Sequence, residues 1–231
     1  MNGKGAGGLD QSKFVPEIRG ALRDHNVEVP KVISQASGIR IFGKRIKSLV
    51  FSTDVATIKN VNADAVIAVY PFTPQPAITH AIMMVSEMPV FCGVGGGITT
   101  GSRVVKLARD AEFQGAMGVV VNSPTANAVI ARLREELDIP IVVTVVSENS
   151  DVDGRLEAGA TIFNVSGAQR TAAIVRAIRQ SHPQTPIIAT GGPAEETIME
   201  TIEAGANAIT WTPPTNGELF KQLMETYRQG T

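Results

Sequence analysis

Three observations predict an α/β chain closed as a (β/α)8 TIM barrel behind an N-terminal helical extension. Eight short β-branched runs recur between residues 48 and 214. Longer stretches with apolar residues three and four apart separate them. Several of those stretches end at a glycine just before the next run, as helix C-termini do.

The runs are SLVFSTD (48–54), AVIAVYP (65–71), PVFCGVGG (89–96), GVVVNS (118–123), PIVVTVVS (140–147), TIFNVSG (161–167), PIIATGG (186–192) and AITWTPP (208–214). They are almost continuously apolar, as expected for parallel strands covered on both faces. Between them TANAVIARLREEL and RTAAIVRAIRQSH read as amphipathic helices, and EAGA at 157–160 and 203–206 reads as a repeated C-cap. With TNGELFKQLMETYRQ as a last helix, closure into a barrel is more economical than an open doubly wound sheet. A chain of 231 residues is long enough for one such domain, 48–231, behind an extension at 1–47.

Within the extension, MNGKGAGGLDQSK reads as a flexible tail, SKFVPEIRGALRDHNVEVP as an amphipathic helix that plugs the barrel bottom, and KVISQASGIRIFGKRIK as a basic connector. Arg40, Lys44, Arg45 and Lys47 in that connector form a solvated charge run or, alternatively, steer an anion.

Hydrophobic residues make up 43% of the chain, charged residues 19%, and the net charge is −1. That balance gives no reason to expect a nucleic-acid partner. Cys92 is the single cysteine, so no intrachain disulfide forms, and no Cys/His cluster offers a zinc site. The N-terminus lacks an apolar signal core and no run approaches membrane length, so a cytoplasmic protein without a membrane partner is expected. Barrels often assemble, and the extension is one route to a homo-oligomer.

In such a barrel the chemistry belongs to the C-terminal ends of the strands and the loops after them. The best-placed carboxylate is Asp54, a general base or the N-cap of the helix beginning at Val55. Glu148 faces the same mouth as an acid or base, or is an exposed loop residue. Asn122 and Asn164 suit hydrogen bonding to a carbonyl or hydroxyl, or serve as polar turn residues. GVGGGITTGSR (93–103), with Gly95 and Gly96, is a lid, a cradle of N–H groups for an anion, or a packing turn. Gly191 and Gly192, ahead of Pro193 at a helix start, invite a phosphate or make a tight turn. Ser166, Gly167, Thr190 and Thr212 extend that anion site. His25, His80 and His182 fall away from strand ends, Cys92 reads as a buried inert thiol, and Met83, Met84 and Met88 read as core filler.

ATGG ending the seventh run, with EAGANAIT after it, resembles the phosphate-binding TIM-barrel superfamily of sugar-phosphate epimerases, isomerases and keto-acid phosphate aldolases. The resemblance implies a phosphate held after the seventh and eighth strands. Strand eight of those families typically ends in a Gly-Ser or Gly-Thr pair, where this chain has TWTPPTNGE, and Pro213 and Pro214 each remove a donor. ASGIRIFGKRIKSLVFSTD, VIAVYPFTPQPAIT, VFCGVGGGITTG and TPPTNGELF are similar to a bacterial family of predicted TIM-barrel proteins loosely called hydrolases, a resemblance that implies no mechanism.

No HxH closes the first strand, as a binuclear metallohydrolase needs, and no lysine ends a strand, as a Schiff-base aldolase needs. No nicotinamide fingerprint is present, so neither metal nor cofactor is expected. The functional expectation is an isomerase or lyase moving protons on a small phosphorylated metabolite. The alternatives are a small-molecule hydrolase and a non-catalytic sensor of a phosphometabolite.

Overall fold

The computed structural model describes residues 27–229, together with Phe14, Pro16, Ile18 and Gly20. The helix expected over 12–30 lies largely outside the described residues, as does His25. A two-stranded antiparallel hairpin, β1 (Ile39–Ile41) and β2 (Lys44–Ile46), comes first. Eight parallel strands follow: β3 (Ser48–Phe51), β4 (Ala65–Ala68), β5 (Val90–Gly95), β6 (Gly118–Val121), β7 (Ile141–Val145), β8 (Ile162–Val165), β9 (Ile187–Thr190) and β10 (Ala208–Trp211). Each neighbours the next in chain order, and β10 pairs with β3 through Thr210 opposite Leu49, so the sheet is a closed barrel.

A helix follows every barrel strand: α1 (Val55–Asn60), α2 (Pro76–Val85), α3 (Ser102–Phe113), α4 (Asn127–Glu136), α5 (Val152–Glu157), α6 (Thr171–Ser181), α7 (Glu195–Glu203) and α8 (Asn216–Arg228). All eight expected runs are therefore strands. Each observed strand stops short of the run's C-terminal end, because the last residues of the run bend away as mouth loops. Helices α5 and α7 end at Gly159 (φ 110°) and Gly205 (φ 111°), the left-handed cap that the repeated EAGA anticipates.

Strand alternation divides the core. Val50, Val66, Cys92, Val119, Val121, Val143, Phe163, Val165, Ile187 and Ile209 pack outward with the helices. Leu49, Ala65, Ile67, Phe91, Val120, Val142, Ile162, Ile188 and Ala208 fill the barrel interior. Both faces of each strand lie in apolar surroundings, the reason these runs carry no polar alternation.

The segment read as a basic connector is instead a 3-10 turn (Lys31–Gln35) and the hairpin. Ile39, Ile41 and Ile46 of the hairpin join the interior cluster, so described residues close the bottom with a β-hairpin. It is pinned by Gly38 N–H donating to Asn207 O (2.7 Å) and Asn207 Nδ2 donating to Ser37 Oγ (3.0 Å). Arg45 donates to Ser37 O and Lys47 to Ser34 O, so these cations bind local backbone at the end opposite the mouth. The pattern Ile-Arg-Ile-Phe-Gly-Lys-Arg-Ile carried a hairpin signal. A two-residue loop with φ positive at both central positions (Phe42 45°, Gly43 83°) matches the twist of antiparallel strands.

Two stability tests follow from this end of the molecule. Ile46, 2% exposed, anchors the hairpin in the barrel, so Ile46→Ala lowers unfolding free energy by about 2–4 kcal/mol in urea titration. Phe42 holds a left-handed conformation that a bulky residue adopts at a cost, and it is 66% exposed. Phe42→Asn therefore raises stability by about 0.5–1 kcal/mol in the same titration.

Candidate functional site

The mouth is built by the loops that leave the C-terminal ends of β3 to β10. Two adjoining cavities open there. The larger, about 620 Å³, is lined by Phe51 to Asp54, Thr57, Val69 to Pro71, Asn122 and the stretch 212–216 after β10. The smaller, about 160 Å³, lies between the loop 70–74 and the glycine loop 93–99, and shares Val69, Tyr70, Pro71 and Asn122 with its neighbour. None of their lining residues is Lys, Arg or His.

Asp54 caps α1, its Oδ1 accepting from Thr57 N–H at 2.8 Å. Its Oδ2 accepts from Asn216 Nδ2, also at 2.8 Å. Two elements on either side of the β10–β3 seam thus orient one carboxylate at the cavity wall, and lone-pair sites remain for a ligand. Tyr70 orients similarly: its hydroxyl oxygen accepts from Gln75 N–H at 3.0 Å, leaving the O–H proton free to donate. Asn122, at the junction of the cavities, is held by its backbone N–H to Gly95 O (3.0 Å).

The glycine loop owes much of its composition to packing. β5 carries a bulge between Gly93 and Gly95. A Cβ at Gly95 would lie 2.4 Å from Val104 Cγ2, and one at Gly96 (φ 102°) would lie 2.8 Å from Asn122 N. Helix α3 then begins at Gly101 without a side-chain cap and with Arg103 in its first turn.

Of the residues singled out in the sequence, Asp54, Asn122 and Thr212 meet at the larger cavity, and Gly95, Gly96 and Asn122 at the smaller. Glu148 is elsewhere: it accepts from Arg170 Nη2 at 2.6 Å and lines a separate cavity of about 240 Å³ with Ser147, Asp153 and His182. The two carboxylates do not share a pocket. Ser166 and Gly167 line neither mouth cavity, and Gly167 N–H is taken by Thr171 Oγ1 (3.0 Å).

Gly191 N–H donates to Thr210 O (3.2 Å), and a Cβ at Gly191 would lie 2.7 Å from Ile198 and 2.8 Å from Ile209. This glycine lets α7 pack against the sheet. Gly192 makes the turn with φ 78°. The first turn of α7 carries Glu195 and Glu196, which repel an anion placed at that N-terminus. Cys92 is buried on β5, and desolvation pushes its thiol up to about 12, so it stays protonated at neutral pH.

Tyr70 and Asn216 carry more of the site than their residue types alone announced. The capping box at the start of α8 was readable in Thr-Asn-Gly-Glu. Thr215 Oγ1 accepts from Glu218 N–H (3.3 Å) while Glu218 Oε2 accepts from Thr215 N–H (2.7 Å). That box sets the position of Asn216 beside Asp54. No helix among the described residues is long and apolar enough to cross a membrane, and no three His, Cys, Asp or Glu side chains among them gather as a metal set.

The chain matches no protein-family model and no curated protein. Its fold is similar to that of a protein assigned as a phosphonomutase from Burkholderia cenocepacia J2315, with 18% identity, 83% of this chain and 96% of the other covered, and TM-score 0.62. Phosphonopyruvate hydrolase in complex with oxalate and Mg2+ is similar at 12% identity, 80% of each chain and TM-score 0.57. A 2,3-dimethylmalate lyase of the PEP mutase/isocitrate lyase superfamily is similar at 14% identity, 86% and 84% coverage and TM-score 0.59. At these identities the likeness establishes the (β/α)8 fold.

The Thr215 hydrogen bonds hold the Glu218 carboxyl below the ordinary glutamate value of 4.5. A lowered folded-state value means that the cap is at full strength above 4.5 and weakens as pH falls through the lowered value. Amide exchange at Thr215 should therefore accelerate, relative to its intrinsic rate, as pH drops below 4.5. Glu218→Gln should remove that pH dependence.

Proposed function

We propose that this chain is a cytoplasmic barrel enzyme that moves a proton on a small, phosphate-bearing metabolite, in isomerase or lyase chemistry, within the cavity over β3, β4, β6 and β10. The observation that carries this reading is the Asp54 carboxylate. It is oriented by Thr57 and Asn216 and faces a cavity that also holds the Tyr70 hydroxyl and the Asn122 amide.

In this reading Asp54 takes the proton from the substrate, and Tyr70 and Asn122 donate hydrogen bonds to the oxygen on which charge develops. The phosphate lies toward the glycine loop and the uncapped start of α3, where the helix dipole and Arg103 favour negative charge. That placement is electrostatically better than the Gly191-Gly192 turn, where two glutamates begin the helix. The Asn216 end of the cavity is closed to an anion, because Glu218 already occupies the start of α8.

The similar fold of phosphonopyruvate hydrolase supports a small phosphorus-bearing acid as the substrate class. The chemistry proposed uses the protein's own groups. A second reading, a sensor that binds such a metabolite without chemistry, is favoured by the separation of Glu148 from Asp54.

Proton exchange decides between them. Phosphorylated keto acids and sugars incubated with the protein in D2O should show loss of one carbon-bound proton signal by NMR. Asp54→Asn should slow that loss by about 100-fold or more, while ligand binding by thermal shift is kept, since Asn also caps a helix. Binding without exchange in the parent protein overturns the enzyme reading in favour of the sensor.

A further inference from the structure

Beneath the mouth, the last inward-pointing position of each barrel strand forms a layer of two unlike halves. Val120, Val142, Ile162, Ile188 and Ala208 fill the interior, and the residues two positions on point the same way. Those residues are Asn122 after β6, Thr144 on β7, Asn164 on β8, Thr190 on β9 and Thr210 on β10. On β3, β4 and β5 the equivalent positions hold Phe51, Val69 and Gly93. Five adjacent strands thus carry neutral hydrogen-bonding side chains where an aliphatic one would complete the core.

Asn164 and Thr210 are nine-tenths buried and have unpartnered polar atoms. Asn164 is 9% exposed, and its Oδ1 makes no hydrogen bond; its Nδ2 reaches Thr144 Oγ1 at 3.4 Å. Thr210 is 5% exposed, and its Oγ1 makes none. Buried polar groups are almost always paired, because an unpaired one forfeits its hydration without return. Valine would fit the Thr210 site with no such loss. A ligand at the mouth that these side chains turn to meet would account for the choice of side chain.

The chemistry of the five groups restricts that partner. None carries charge, so nothing here compensates a phosphate or carboxylate. Amides and hydroxyls match a group that both donates and accepts, and a hydroxyl satisfies Thr210 Oγ1 as well as Asn164 in either orientation of its amide.

We infer that the floor of the mouth over β7–β10 is a hydroxyl-binding subsite, in which Asn164 and Thr210 hold the hydroxylated carbon skeleton of the substrate. The inference rests on the proposed reading for the phosphate end of that substrate. It makes the substrate a hydroxylated phosphate ester, with the ester end toward the glycine loop.

The test uses glycerol 3-phosphate and propyl phosphate, which share a three-carbon skeleton and differ in their hydroxyls, with the full chain and the variants Thr210→Val and Asn164→Leu. The parent should bind glycerol 3-phosphate at least about tenfold more tightly than propyl phosphate by calorimetry, because a site built for hydroxyls rejects the analogue lacking them. Each variant should lose most of that preference, yet melt without ligand at or above the parent temperature.

A fall in the ligand-free melting temperature of about 4 °C or more in either variant overturns the inference. It would mean that these atoms have a partner, such as a bridging water, in the free protein. Equal binding of the two esters by the parent, or a preference kept in both variants, overturns this inference alone and leaves the phosphate reading standing. Binding of neither ester overturns both.

Discussion

Closure of the sheet at the β10–β3 seam governs the rest of the molecule. Once Thr210 pairs with Leu49, no barrel strand has a free edge, and the eight strands enclose a volume that their own side chains must fill. Closure also sends all eight strand C-termini to one end. Residues far apart in the chain, such as Asp54 and Asn216, are brought to 2.8 Å by that single pairing.

Filling the enclosed volume has different solutions at its two ends. At the bottom the interior is completed by three isoleucines of the hairpin, an apolar plug secured at its rim by backbone and Asn207 hydrogen bonds. At the top no plug is present among the described residues, and the layer turns polar over β6–β10. The bottom end contributes stability and the top end contributes chemistry. Arg40 and Arg45 of the hairpin belong to the former, since their donors go to nearby carbonyls.

Much of the fold was legible because parallel strands covered on both faces leave continuous apolar runs, and helices between them leave a 3.6-residue period. The hairpin escaped, since Ile39, Ile41 and Ile46 alternate with arginine and lysine and the segment reads as basic before it reads as a strand pair. At the site, Asp54, Asn122 and Thr212 were legible as polar residues at strand ends. Gly191 looked like an anion cradle because close packing and close ligand approach leave the same mark, a missing side chain. The contacts to Ile198 and Ile209, and the neighbouring Glu195 and Glu196, reveal which demand the position meets.

The sequence by itself determined the class of fold, the number of barrel strands, the position of most helices and the end of the barrel at which polar residues gather. These follow from local periodicity, which is encoded within each run of four to eight residues. Only the tertiary structure decided which polar residues share a cavity, that Asp54 and Glu148 are apart, and that Asn164 Oδ1 and Thr210 Oγ1 lie buried without a hydrogen-bond partner among the described residues. Those facts depend on register around a closed barrel, where a residue's neighbours come from other strands and no short stretch of sequence holds the information.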